Sequence, residues 1–268
     1  MPIKRRKVRR IAIVPTLLTL ANGVCGFLAI TQIGEGHVEN LVTAAQLILL
    51  AMIFDALDGA VARLAHVAGN FGAQLDSLCD LVTFGAAPAY LAMRVVGIAN
   101  DAYLPPQILV ILAAFYFACA AVRLARFNVE TSPEESSHQS FAGLPSPAAA
   151  GVLATLIWVW GQPADTMMGR LVTEIHHGVP FLLLVLGVLM ISRVRYEHMV
   201  SRFIRGTHPF VRLVEVLLAI VCLAALRQYA LGLGFGIYMI SGPVLHVKQR
   251  LLRPDVEPEA PLAEEDFF

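Results

Sequence analysis

The chain has 268 residues, 57% of them hydrophobic and 15% charged, with a mean hydropathy of +0.68. Soluble domains carry about 25% charged residues, so the composition excludes an ordinary water-soluble globule and a disordered chain alike. Lys+Arg and Asp+Glu number 20 each, for a formal net charge of zero. That balance does not suggest a basic nucleic-acid binder. Four scattered cysteines do not make a disulfide scaffold. The apolar surplus points to lipid as the solvent. The expected fold is an all-α, polytopic membrane helix bundle of about eight transmembrane helices.

Residues 1–13 form a basic N-terminus carrying Lys4, Arg5, Arg6, Lys7, Arg9 and Arg10. The apolar run behind them is too long for a signal peptide, and no small-residue cleavage site stands out. It reads as a retained first span. Runs of about 20 apolar residues predict spans over 14–33, 42–64, 73–97, 104–125, 145–162, 178–193, 209–226 and 229–246. Pro105 and Pro106 open the fourth, and Pro145 and Pro147 the fifth. Proline is tolerated there because the first helical turn leaves its N–H unpaired anyway. Residues 14–246 make one membrane domain. Residues 247–268 form a tail whose end, Pro254–Phe268, holds six acids and no base, and which reads as solvated and unstructured.

Basic residues flanking spans mark the cytoplasmic side. With eight spans, 17 of the 20 Lys and Arg fall on or beside one face, and only Arg94, Arg170 and Arg227 lie elsewhere. Both termini are therefore expected in the cytoplasm. An odd number of spans would break the bias.

Four aspartates stand in or at the ends of spans two and three: Asp55, Asp58, Asp76 and Asp80. Each would cost about 2.5–3.5 kcal/mol at a helix centre, so intramembrane carboxylates normally face a cavity and mark function. Asp55 and Asp58 share one helix face at i, i+3, and Asp76 and Asp80 share another at i, i+4. The turn between these spans is short, which predicts antiparallel neighbours with both pairs converging on one cleft. Four carboxylates at close range repel, and a divalent cation removes the repulsion. Carboxylate oxygens suit Mg²⁺ or Mn²⁺, and Mg²⁺ commonly joins a few carboxylates to substrate phosphates. Gly59, Ala62 and Gly72 share the aspartate faces and leave room for a bulky ligand. Arg63 could pair with a phosphate oxygen or anchor the span at the interface. A proton or ion path would also use such aspartates.

The stretch Asp55-Ala-Leu-Asp58-Gly59-Ala-Val-Ala62-Arg63, followed by eight residues and Gly72-Ala-Gln-Leu-Asp76-Ser-Leu-Cys-Asp80, matches D-x₂-D-G-x₂-A-R-x₈-G-x₃-D-x₃-D at every defined position. In this it resembles the CDP-alcohol phosphotransferase family. The resemblance implies transfer of a phosphatidyl or related group from a CDP-linked donor to an alcohol, with release of CMP. It implies a site open to the cytoplasmic side of the cell (inner) membrane, and a homodimer. It assigns Asp55, Asp58 and Asp76 to divalent metal, Mg²⁺ or Mn²⁺, with Asp80 close enough to ligate and expected to act as the general base. Gly59 and Arg63 are implied to contact the CDP diphosphate, and Ala62, Gly72, Thr19 and Asn22 to line the CDP-diacylglycerol site.

The flanks resemble the membrane-type phosphatidylserine synthase branch. The matching stretches are Pro15–Ile30, Gln74–Ala89, Arg123-Leu-Ala-Arg126-Phe127-Asn128, Phe141–Ala150 and Arg195-Tyr196. Thr16 departs from the Asn usual after that proline. The acceptor implied is L-serine, whose carboxylate needs a cationic partner. Arg123 and Arg126, assisted by Asn128, are the candidates, although both arginines would also serve as interface anchors. Siblings using glycerol phosphate, inositol phosphate or choline remain alternatives. So does a cation or proton transporter, although clustered aspartates near one membrane face fit that class poorly. Cys79 reads as a packed thiol, Cys25, Cys119 and Cys222 as apolar fillers, and His176 and His177 as an outer-loop pair unsuited to a metal site. Glu215 is expected to pair with a loop arginine. Ser77 and Ser146 lack a base that would make either a nucleophile.

Overall fold

A computed structural model of the chain describes residues 13–64, 70–98, 104–130, 143–161, 173–194, 196 and 228–251. Every regular element among them is helical: α1 (Ile13–Glu35), α2 (Val38–Leu64), α3 (Asn70–Asp80), a π-helical turn (Leu81–Ala86), α4 (Ala87–Ile98), α5 (Pro106–Glu130), α6 (Ser146–Trp160), a 3₁₀ turn (Thr173–Gly178), α7 (Val179–Ile191) and α8 (Gln228–Leu251). Five stretches are long and apolar enough to cross a membrane: Ile13–Glu35, Val38–Ala62, Phe71–Ile98, Pro106–Val129 and Tyr229–Lys248. Ser146–Trp160 and His176–Ile191 are shorter apolar helices. At 1.5 Å per residue, the 15 residues of α6 span about 22 Å, less than a bilayer core. The protein is an integral membrane helix bundle. Seven of the eight expected segments are helices, and the seventh, 209–226, lies outside the described residues, as do Glu215 and Cys222.

α1 shows the rule the bundle follows. One stripe, Ile13, Leu17, Leu20, Val24 and Phe27, is exposed, while Thr19, Asn22, Cys25, Gly26, Ala29 and Ile33 are buried. In lipid, apolar side chains face out, and polar side chains face inward to find partners. Small residues let the helices approach. A methyl added to Gly23 would lie 2.8 Å from Cys79 Sγ, and one added to Gly26 would strike Thr83 Oγ1 and lie 2.9 Å from Thr83 Cα. Cys79, Cys25 and Cys119 are buried free thiols, as expected of packing residues.

The expected pairing of spans two and three holds along only part of their length. Leu41, Ala44, Ala45, Ile48 and Ala51 of α2 join Ala87, Leu91 and Val95 of α4 in one apolar cluster. The aspartate-bearing half of span three, α3, packs on α1, which also runs along α2. The cleft between the two carboxylate pairs is therefore floored by the first span.

Two helices contain a proline whose missing N–H would have bonded to the carbonyl four residues earlier. Pro88 leaves Phe84 without that donor, and the fully buried Tyr116 supplies its hydroxyl to the Phe84 carbonyl at 3.1 Å. Pro243, inside α8, does the same to Met239, and Tyr196 donates to the Met239 carbonyl at 3.1 Å. Burial, with Tyr238 beside it, pushes the Tyr196 phenol up to about 12, so it stays a donor at physiological pH. The π turn lies just ahead of Pro88, where its ring would crowd the Phe84 carbonyl of a regular α-helix.

α5 runs through Glu130, beyond the expected end at 125. Its sequence meets no proline until Pro133, so Arg126 and Asn128 sit on the helix rather than in a loop. Ahead of α6, Gly143 adopts a positive φ of 94°, and a methyl there would meet the Met190 carbonyl. Only glycine fits this close approach without strain. The Gly143 N–H bonds to the Val194 carbonyl at 2.8 Å and Leu144 N–H to the Leu189 carbonyl at 3.0 Å, docking the strap on the end of α7.

The contact between α1 and the π turn gives a direct test. Gly26→Ala is expected to destabilise the protein by about 1–3 kcal/mol, the usual cost of overpacking. Gly34→Ala, where nothing lies within 4 Å of the added methyl, should be neutral or raise stability by up to about 1 kcal/mol. Thermal unfolding of the two variants in detergent reads the difference.

Candidate active site

Three of the four aspartates come together. Asp55 on α2 and Asp76 and Asp80 on α3 each present an oxygen, and the three oxygens lie within 4.8 Å of one another. Among the described residues this is the one group with metal-ligating composition and spacing. Asp58 stands beside it, within electrostatic reach of Asp55 and Asp76. Its Oδ2 accepts a 2.7 Å hydrogen bond from the Thr19 hydroxyl, and it is 5% exposed. Asp80, 7% exposed, accepts a 2.8 Å bond on Oδ1 from Asn22 Nδ2.

These two bonds explain why α1 turns its polar side inward. A hydrogen bond to a charged group contributes about 1.5–3 kcal/mol, comparable to the cost of one intramembrane aspartate. Thr19 and Asn22, one turn apart, each satisfy one carboxylate. The expectation placed both against the CDP-linked donor, and the structure places both against the acids. The Asn22 backbone is held in turn, because Thr83 Oγ1 donates to its carbonyl at 3.2 Å.

The triad fits a cation by a further criterion. Asp76 Oδ1 is buried and has no hydrogen-bond partner, and the same is true of Asn22 Oδ1. A buried carboxylate oxygen without a donor is costly unless something positive or N–H-bearing meets it. Three carboxylates with hard oxygens and one unsatisfied lone pair suit a divalent metal.

The remaining predicted residues separate into groups. Gly59 and Ala62 are half-buried on α2. A methyl on Gly72 would meet nothing within 4 Å, so this rim of the cleft is open. The Arg63 side chain lies outside the described residues. Arg123 on α5 donates from Nη1 to Ser146 Oγ at 3.0 Å, while its buried Nε has no hydrogen-bond partner. Its guanidinium is close enough to Asp80 for the two charges to interact. Arg126 points elsewhere, its Nη1 reaching the Ile191 carbonyl at the end of α7 at 3.3 Å. Asn128 Nδ2 donates to Ser77 Oγ at 2.8 Å, tying α5 to α3. Of the three acceptor candidates, Arg123 therefore lies within electrostatic reach of Asp80, whereas Arg126 and Asn128 join helices. His176 and His177 stack at 4.0 Å on the 3₁₀ turn, the first buried and the second exposed.

Sequence reasoning passed over Ser146 as a partner for Arg123, and it passed over Tyr116 and Thr83 altogether. Pro88 was the available signal for Tyr116, since a mid-span proline demands a substitute donor.

Residues 12–191 match the family model described as CDP-alcohol phosphatidyltransferase. The chain is 34% identical to a CDP-diacylglycerol–serine O-phosphatidyltransferase of Helicobacter pylori, over 85% of this chain and 88% of the relative. It is 31% identical to the enzyme of the same name from Methanocaldococcus jannaschii, over 90% and 98%. It is 32% identical to an archaetidylserine synthase of Methanothermobacter thermautotrophicus, over 71% and 72%. The matched region runs from the polar face of α1, through both carboxylate pairs, to the end of α7, and on that ground the chain belongs to the CDP-alcohol phosphatidyltransferase family.

Proposed function

We propose that the protein transfers the phosphatidyl group of CDP-diacylglycerol to the hydroxyl of L-serine, giving phosphatidylserine and CMP. The observation that carries this reading is the convergence of Asp55, Asp76 and Asp80 with Arg123 nearby, in a chain similar to serine-specific transferases. Asp55, Asp76 and Asp80 would hold a divalent metal, Mg²⁺ or Mn²⁺, with Asp58 beside them. The bound metal would neutralise diphosphate charge and stabilise the departing CMP.

The chain's own groups divide the remaining work. Asp80 takes the proton of the serine hydroxyl as that oxygen forms a bond to the phosphatidyl phosphorus and the bond to the CMP oxygen breaks. Asn22 holds Asp80 by Oδ1, which leaves Oδ2 for the proton. Arg123 receives the serine carboxylate with donors that Ser146 does not use. Arg126 is left to the end of α7 and Asn128 to Ser77, so neither is needed for the acceptor. Gly59, Ala62 and Gly72 are left to the donor side, to which the family resemblance also assigns Arg63. The positive-inside count supports a site facing the cytoplasm across the inner membrane.

Purified protein given CDP-diacylglycerol and Mn²⁺ or Mg²⁺ is expected to release CMP with serine, and not with glycerol phosphate, inositol phosphate or choline. Chelation should abolish release, and added metal should restore it. CMP release with another acceptor alone would overturn the serine assignment, and none with any acceptor would overturn the transferase reading. Asp80→Asn is expected to cut kcat by about 10²–10⁴-fold, the usual contribution of a general base. CDP-diacylglycerol affinity, measured separately, should change far less. Arg123→Gln should raise KM for serine by about tenfold or more, as loss of a charge-assisted pair predicts, with KM for CDP-diacylglycerol little changed. The same substitution at Arg126 should lower thermal stability instead.

A further inference from the structure

We infer that Tyr116 is a positioning residue for Asp80, acting through the π turn that it holds in place. The inference rests on the proposed role of Asp80 at the metal and acceptor site.

Asp80 is the last residue before the π turn, with ordinary helical φ and ψ of −61° and −39°. A π turn holds one residue more per turn than the α-helix around it, and single π turns commonly mark functional sites. Each residue of an α-helix accounts for about 100° of rotation. A change in the winding of Leu81–Ala86, even by part of a residue, would turn everything on its N-terminal side by a matching part of that angle relative to α4. Asp76 and Asp80 would swing away from Asp55, which is carried by another helix.

Two hydrogen bonds hold the turn. Tyr116, fully buried on α5, donates to the Phe84 carbonyl, which Pro88 cannot serve. Thr83 donates to the Asn22 carbonyl, and Asn22 returns a bond to Asp80. The path from Asp80 through the turn to Thr83, Asn22 and back to Asp80 is thus closed. Removing the Tyr116 hydroxyl leaves the Phe84 carbonyl short of a donor in a dry site, and because α-helical register would offer it only Pro88, the turn must shift to bring it another partner. Tyr196 repairs the carbonyl orphaned by Pro243 in the same way, but α8 carries no aspartate.

Tyr116→Phe keeps the ring and removes the hydroxyl. In full-length protein in detergent, it is expected to weaken Mn²⁺ binding without substrates, followed by the electron paramagnetic resonance signal of free Mn²⁺, by about fivefold or more. kcat should fall by about tenfold or more, the scale expected for a misplaced reacting group, while KM for serine stays within about twofold. Tyr196→Phe should lower the melting temperature and leave Mn²⁺ affinity unchanged. Wild-type Mn²⁺ affinity and kcat in Tyr116→Phe would overturn the inference. A lower melting temperature with both values intact would also overturn it, as would an equal loss of Mn²⁺ affinity in Tyr196→Phe. Asp80→Asn separates the two levels. If it spares turnover, the reading of Asp80 falls and this inference with it. If it abolishes turnover while Tyr116→Phe does not, only the positioning role falls.

Discussion

The structure depends on keeping four carboxylates inside a low-dielectric bundle. Each is expensive there alone, and close together they repel. Two answers are built into the chain. Thr19 and Asn22 reach from the first span to give Asp58 and Asp80 hydrogen bonds. Asp55, Asp76 and Asp80 are gathered closely enough for one cation to serve all three. The lipid-facing stripe of α1, its buried polar side and its glycine contacts with α3 and the π turn all follow from the first answer.

The second answer needs precise helix rotation, which a regular helix would not supply. Span three packs on α1 along its whole length and on α2 chiefly through α4, with its acids turned into the cleft between. The π turn between Asp80 and Pro88 sets the rotation of the acids relative to α4. In water, a backbone carbonyl freed by such a turn would be solvated. In a membrane it must find a protein donor, and Tyr116 provides it. The same pairing of a helix proline with a buried tyrosine recurs at Pro243 and Tyr196, so the bundle solves one problem twice with one chemistry.

The division of labour among the cations follows from geometry as well. Arg123 and Arg126 are three residues apart on one helix and looked equivalent in the sequence. Three residues leave their directions about 60° apart on the helix, and their neighbours differ. Arg123 meets Ser146 and the field of Asp80, and Arg126 meets the carbonyl end of α7. Charge complementarity alone gives both arginines to the acceptor, whereas packing leaves one of them there.

Hydropathy and charge placement were enough to establish a helical membrane protein, most of its spans and the two aspartate pairs, because these are properties of composition and spacing along one helix. The fixed pattern from Asp55 to Asp80 was enough for the family resemblance. Which three aspartates share a centre, that Asp58 is held by Thr19, that α1 floors the cleft and that Tyr116 braces the turn behind Asp80 were decided only in three dimensions. Each depends on the rotation and separation of helices distant in sequence. Side-chain spacing fixes faces within a helix, but the approach of one helix to another is set by the small residues, prolines and repaired carbonyls where they meet.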